Sequence, residues 1–377
     1  MTRDLFTAEH ELFRANVRRF LEEEVTPHLD AWESQGRFDA ALFEKAGAAG
    51  LLCPTVPEAF GGPEADMLYS VVMLEEAAPY SNIGLSFAMH SEIVTNYLLH
   101  HASDGLRKQW LPEMVTGRCI GALAMTEPGA GSDVKAVRTT AVRDGDYYVL
   151  TGSKTFISNA TTCGAVIVVA KTDVNAGAKG VSLLMVDTSL PGVTRGAPLK
   201  KMGLKSQDTG ELFFDRVRVP ADQLIGEENS GFRYLMEELP WERVQIAVSA
   251  VSAAQAAYEQ TVAYVRERKA FGKAVGEYQN TRFTLAELKT EIRIGRTFVD
   301  ECLRSHLSGT LDAQSASMAK YWCSELQGKV VDACVQLHGG YGFMWEYPIA
   351  RAYVDARAQR IYGGTTEIMK ELIAREL

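Results

Sequence analysis

The sequence predicts a multi-domain α+β chain: an N-terminal helical domain, a middle antiparallel β-barrel or sandwich domain, and a C-terminal helical bundle domain. Three observations predict it. Apolar residues recur at helical spacing within residues 1–118. Short β-rich runs separated by turn signals fill residues 119–224. One apolar face persists for about six helical turns within residues 225–377. A chain of 377 residues has room for two or three such domains.

In the N-terminal part, Thr7 offers a helix cap, and Leu12, Phe13, Val17, Phe20 and Leu21 come after it at helical spacing. Pro54, Pro57, Gly61, Gly62 and Pro63 mark a loop, after which helical stretches run on to Leu111. In the middle part, Tyr147-Tyr148-Val149-Leu150, Ala165-Val166-Ile167-Val168-Val169-Ala170, Val181-Ser182-Leu183-Leu184-Met185-Val186 and Glu211-Leu212-Phe213-Phe214 read as strands. Asp144-Gly145-Asp146 and Pro191-Gly192 supply turns. No helices of about 10–15 residues alternate with these runs, which argues against a parallel α/β sheet. In the C-terminal part, Val244, Val248, Val251, Ala254, Tyr258, Val262 and Val265 keep one apolar face, and the intervening alanines allow close helix approach. Leu285, Leu288, Ile292 and Phe298-Val299 predict a second long helix, and residues 318–337 a third.

With 46% hydrophobic and 23% charged residues, the chain is outside the range of general disorder. Its 39 basic and 48 acidic residues give a net charge of -9, which argues against nucleic acid as a partner. Charge-free runs such as 77–91 and 244–258 are too short for a membrane span of about 20 apolar residues. The N-terminus has no basic patch leading into an apolar block, and Glu9, Glu11 and Glu22-Glu23-Glu24 make it acidic for a transit peptide. A bacterial-like cytoplasmic location is expected, or a mitochondrial matrix for a trimmed mature form. Six cysteines without a Cys-x-x-Cys pair read as reduced thiols.

Several chemistries have no support. There is no dinucleotide fingerprint, no phosphate-binding P-loop, no H-E-x-x-H and no G-x-S-x-G elbow, and no metal site is expected. His100-His101 reads as a solvated helix end. Four segments remain, each with a plain structural explanation beside a functional one. Thr126-Glu127-Pro128-Gly129-Ala130-Gly131-Ser132-Asp133 is either a connecting loop or a backbone cradle for a flat or anionic ligand. Gln336-Leu337-His338-Gly339-Gly340-Tyr341-Gly342 has three glycines where a helix C-cap needs one. Gly363-Gly364-Thr365-Thr366-Glu367 precedes a closing helix whose N-terminus suits an anion. Arg266-Glu267-Arg268-Lys269-Ala270-Phe271-Gly272-Lys273 is a charge run ending in an anion-clamp pattern.

The segments at 124–133, 268–273 and 336–342 resemble the acyl-CoA dehydrogenase family, in the family's order and over almost the whole chain. Lys201-Met202-Gly203-Leu204-Lys205, Gln207-Asp208-Thr209, Glu238-Leu239-Pro240-Trp241-Glu242-Arg243 and Met344-Trp345-Glu346-Tyr347-Pro348-Ile349-Ala350 look like its long-chain branch, as do Asp355-Ala356-Arg357 and Ile361-Tyr362-Gly363-Gly364-Thr365. The resemblance implies non-covalent FAD, α,β-dehydrogenation of a long-chain acyl-CoA to a trans-2-enoyl-CoA, and electron transfer to electron-transfer flavoprotein. It also implies a homotetramer built as two dimers.

Such chemistry needs a carboxylate that takes the α-proton while the β-hydrogen leaves as hydride to flavin N5. Many family members carry the glutamate in Tyr-Glu-Gly-Thr, but Gly363 occupies that position here. Isovaleryl and long-chain members carry it on a C-terminal-domain helix before an arginine, which Glu242-Arg243 matches. Glu242 is therefore the expected base, although a glutamate after Pro240 also suits a first helical turn. Glu367 is the second-ranked carboxylate. By the same resemblance, Ser132 and Arg243 contact substrate, and the backbone N–H of Gly363 grips the thioester carbonyl. Thr126, Ser132, Phe156 and Ser158 line the flavin ring. Arg268, Phe271, Gln279, Gln336, Gly339 and Gly340 hold pyrophosphate and adenosine, partly across a subunit boundary, and Thr365 and Glu367 complete that site. Ile83, Leu85, Phe87, Met89, Ile93 and Val94 serve equally as helix core or as acyl-tunnel lining. Three other readings stay open: a short branched-chain (isovaleryl-like) dehydrogenase, an oxygen-using acyl-CoA oxidase, and a non-catalytic flavin- or CoA-binding subunit.

Overall fold

A computed structural model describes residues 3–375, the side chains of residues 81–83 excepted, so Ile83 lies outside the described side chains. The N-terminal part is helical: α1 (Ala8–Glu24), α2 (Leu29–Gln35), α3 (Ala41–Ala48), α4 (Met67–Ala77), α5 (Ser81–Ala88), α6 (Thr95–His101) and α7 (Asp104–Val115). Thr7 caps α1 as expected, with His10 completing the capping box. Val17, Phe20 and Leu21 are buried, but Leu12 points into water. Between α5 and α6 the helix widens into a π-helical turn, Met89–Val94. An extra residue per turn rotates the downstream helix by about 100°. Tyr97, on α6 beyond this turn, is fully buried.

The middle part is one eight-stranded sheet: β1 (Gly121–Ala124), β2 (Thr140–Asp144), β3 (Tyr147–Ser158), β4 (Ala165–Lys171), β5 (Val181–Asp187), β6 (Val193–Arg195), β7 (Thr209–Pro220) and β8 (Leu224–Ile225). Its order is β6-β7-β3-β2-β4-β5-β8, with β1 also on β4. The β domain is there as expected, but the sheet is mixed and does not close into a barrel. Both β1 and β2 run parallel to β4, while the remaining pairs are antiparallel. The chain leaves β1, forms the β2–β3 hairpin around Gly145-Asp146, and returns to lay β4 beside its starting strand.

The C-terminal part consists of α8 (Gly231–Glu267), α9 (Gln279–Leu307), α10 (Ala313–His338), α11 (Pro348–Gln359) and α12 (Thr366–Ala374). At about 1.5 Å per residue, the 37 residues of α8 extend for about 55 Å. Pro240 does not start this helix; it lies within the third turn. Val244, Val248, Val251 and Ala254 pack with Leu288 and Ile292 of α9 and with Ala316, Ala319 and Cys323 of α10. Leu68, Val71 and Leu74 of α4 belong to this same core, which joins the two helical ends of the chain across the intervening sheet. The junction also holds a buried charge cluster. Glu75 on α4 accepts from Arg3 at 2.8 Å, from Arg14 of α1 at 2.9 Å and from Arg296 of α9 at 2.9 Å. All six cysteines are buried and unpaired, as the sequence leads one to expect.

Candidate active site

The mid-helix position of α8 puts Glu242 inside the protein, where it is only 8% exposed. Its Oε1 accepts a hydrogen bond from the hydroxyl of Tyr97 at 3.0 Å. Burial pushes the Glu242 carboxyl up to about 7, and the negative charge of Glu238 one turn earlier pushes the same way. The Tyr97 donor and the Arg243 guanidinium act against them. A first-turn carboxylate satisfying a helix dipole is therefore the wrong description of Glu242.

Glu238 is itself buried and is held by the two histidines at the end of α6. His100 Nδ1 and His101 Nε2 each lie 2.8 Å from its Oε1. Although burial works the other way, these bonds hold the Glu238 carboxyl down to about 2. The histidine pair thus ends a helix, as the sequence suggests, but binds a carboxylate. The three groups offer ligating atoms within 4.8 Å of one another. His101 also stacks on Tyr234, with centroids 4.3 Å apart.

Next to the base, Arg243 is 6% exposed, and its Nη1 donates to Ser317 Oγ of α10 at 3.4 Å. Its Nε, like both side-chain amide atoms of Gln245, is buried with no partner among the described residues. Groups of this kind normally find partners, so a water or a polar ligand is the expected partner of Arg243 and Gln245. Lys320 of α10, fully buried, donates to the Gly364 carbonyl at 2.6 Å. Burial, helped by the Arg243 charge, draws the Lys320 ammonium down to about 8. This bond pins the turn containing Gly363, whose φ is +66°. A Cβ at Gly363 would collide with Cδ1 of Ile246, one turn beyond Glu242. The turn and α8 thus meet at the site, and a side chain at 363 would have to displace the end of Ile246 from a left-handed backbone that favours glycine.

The loop at 126–133 is braced from beneath. Glu127 accepts from Lys154 Nζ at 2.8 Å and from the backbone N–H groups of Arg138 at 2.6 Å and Thr139 at 3.0 Å. Lys154 also donates to the Met125 carbonyl at 3.1 Å, and the N–H of Thr155 to the Thr126 carbonyl at 2.9 Å. Thr126 thereby lies beside β3, and Ser132 is exposed. On β3 the register shifts between Lys154 and Ile157. Phe156 sits in this bulge at φ 58° and is 67% exposed; Ser158 is half-buried. A bulky residue in the left-handed region is an outlier, and here it lifts an aromatic ring off the sheet.

The charge run after α8 folds into a two-stranded ribbon, β9 (Lys269–Ala270) and β10 (Lys273–Ala274), with Phe271-Gly272 as the turn. Both turn residues have positive φ, and Phe271 is 98% exposed. Arg268 lies over the Tyr341 ring, 5.3 Å from its centroid. A cavity of about 570 Å³ brings together Arg268, Gln336, Gly339 and Gly340, with Tyr264 and His338 stacked 4.1 Å apart in its wall. Phe271 and the exposed Gln279 lie outside its lining, as do Thr126, Ser132, Phe156 and Ser158. Thr365 caps α12 through the Ile368 N–H, and Glu367 is exposed on its first turn. One cavity of this chain thus gathers four of the expected cofactor residues. Among the tunnel candidates, Phe87 and Val94 pack in the N-terminal core. Phe87 also lines a cavity of about 10 Å³ with Met73, Ala88 and Glu92, enough for one water and not for an acyl tail.

Sequence reasoning misses Tyr97, Lys320 and Gln245. No local motif marks them, and only burial and hydrogen bonding in the folded chain bring them forward. Comparison with known proteins gives a consistent result. Family models match residues 7–118 (acyl-CoA dehydrogenase, N-terminal domain), 122–217 (middle domain) and 229–377 (C-terminal domain). The mitochondrial long-chain specific acyl-CoA dehydrogenase of Sus scrofa is 53% identical over 378 aligned residues, which cover 100% of this chain and 88% of that protein. The crystal structure of an acyl-CoA dehydrogenase from Geobacillus kaustophilus is 47% identical, with a TM-score of 0.98 over 100% of this chain and 99% of that one. A glutaryl-CoA dehydrogenase from Mycobacterium smegmatis, solved in complex with FADH2, is 26% identical with a TM-score of 0.93, covering 100% and 96%.

Proposed function

The chain belongs to the acyl-CoA dehydrogenase family of oxidoreductases, and from that premise we propose that it dehydrogenates long-chain acyl-CoA thioesters with Glu242 as the base. The observation that carries this reading is the Glu242 carboxyl, buried in mid-helix and raised to about 7. An α-proton of a thioester is weakly acidic, and a base tuned close to neutrality shares more of the proton in the transition state than an ordinary carboxylate. The glycine at 363, held at a left-handed φ of +66°, supports a base that comes from α8 and not from this turn. The long-chain preference rests on the relative from Sus scrofa.

The residues present fit FAD. The cavity beside Arg268 offers a cation and unobstructed glycine backbone to a pyrophosphate, and the exposed Phe156 ring offers a platform to a flat ring. When bound, FAD accepts the β-hydride. In this reading, Arg243 and Ser132 hold the substrate, and the Gly363 N–H steadies the developing negative charge on the thioester oxygen. Thr126 and Ser158 flank the ring, with Ser132 close by. Phe271 and Gln279 reach from an adjacent subunit toward the cavity of Gln336, Gly339 and Gly340, and Thr365 and Glu367 close it. A homotetramer of two dimers agrees with that division, with electron-transfer flavoprotein as the acceptor and the cytoplasm as the location. No helix among the described residues is long and apolar enough to cross a membrane.

The test is Glu242→Gln. With palmitoyl-CoA under anaerobic conditions, the wild type bleaches its flavin, while the variant keeps its flavin but loses at least three orders of magnitude in turnover. Near-normal turnover by the variant overturns the assignment.

A further inference from the structure

Resting on the reading that Glu242 is the base, we infer that Tyr97 is a positioning residue for it: the tyrosine hydroxyl fixes Oε1 and leaves Oε2 to take the α-proton. The geometry is specific. Tyr97 is fully buried on α6, beyond the π-helical turn, and its hydroxyl donates to Glu242 Oε1 at 3.0 Å from 145 positions away in the chain. A carboxylate has two equivalent oxygens and a side chain that rotates. A donor held by a packed helix removes that freedom, since one oxygen is occupied and the plane of the carboxylate is set.

In the reaction, the substrate α-C–H bond breaks, its proton forms an O–H bond at Oε2, and the electron pair passes into the substrate. The hydrogen bond from Tyr97 to Oε1 persists, because the neutral acid keeps Oε1 as a carbonyl acceptor. A hydroxyl donor favours the charged carboxylate over the acid, so Tyr97 also offsets part of the effect of burial. The other charged or titratable groups around the base are Glu238 and Arg243 on α8, His100 and His101 on α6, His306 on α9 and Lys320 on α10. Tyr97→Phe changes none of them, so a difference between variant and wild type isolates the hydroxyl.

The test is the pH profile of kcat/KM for palmitoyl-CoA, which reports the free enzyme. In the wild type it rises through about pH 7. In Tyr97→Phe the same limb moves up by about one pH unit, turnover at pH 7 falls several-fold, and activity recovers above pH 8. If Tyr97→Phe does not fold with flavin, site-specific fluorotyrosine at position 97 replaces it. That residue donates more strongly and moves the limb downward. Superimposable limbs overturn the inference. Glu242→Gln keeps the two ideas apart. A turnover-competent Glu242→Gln defeats the base assignment, whereas an inactive Glu242→Gln with an unmoved Tyr97→Phe limb defeats only the role of Tyr97.

Discussion

At Glu242, the condition that makes a good base costs stability. Its carboxyl rises from an ordinary 4.5 to about 7, a difference worth ~3 kcal/mol. The folded state holds this proton more tightly than the unfolded chain, so the contribution is complete below pH 4.5, fades as pH rises toward 7, and is absent above. Glu242→Gln keeps an acceptor for Tyr97 but cannot ionise. Its Tm is expected to match the wild type at pH 5 and to exceed it by several degrees at pH 8. An equal difference at both pH values contradicts the burial effect. The identity of this residue is legible in the sequence, because Gly363 leaves a role open and Glu242-Arg243 can fill it. Its surroundings are not. Tyr97 sits in a stretch that reads only as apolar helix, and His100-His101 reads as a wet helix end until the fold sets Glu238 against it.

Among the elements, α4 carries an unusual share of the charge buried between helices. Glu75 alone faces Arg3, Arg14 and Arg296, and its side chain is 7% exposed. Removing one partner of such a cluster strands the others, which costs about 3–5 kcal/mol. Glu75→Gln is expected to lower Tm by about 4–6 °C at pH 7 without displacing the flavin from the folded fraction, a result that thermal unfolding monitored by flavin fluorescence checks. The long elements are legible by period. The strand runs at 147–150, 165–170, 181–186 and 211–214 fall within β3, β4, β5 and β7. The strands β1, β2, β6 and β8 give no clear signal because they are short or carry polar residues such as Arg143 and Asp144. Pro240 reads as a helix start because proline is commonest there, yet α8 has packing on several sides that carries the helix through it. The π-helical turn has no signature in composition.

At the scale of the molecule, the α–β–α order is readable from the change of period, whereas the sharing of one core between α4 and α8 is not, since it depends on contacts far apart in sequence. That shared core has a consequence for synthesis on the ribosome. Leu68, Val71 and Leu74 emerge long before Val244, Val248 and Val251, their eventual neighbours. Until then the growing polypeptide displays a greasy seam with nothing to seal it, an invitation to chaperones and to clumping. A fragment ending at residue 230 is expected to partition into the pellet, and to return to solution when residues 231–377 are co-expressed as a separate piece. A freely soluble, monomeric fragment 1–230 would show that the first half can finish itself unaided.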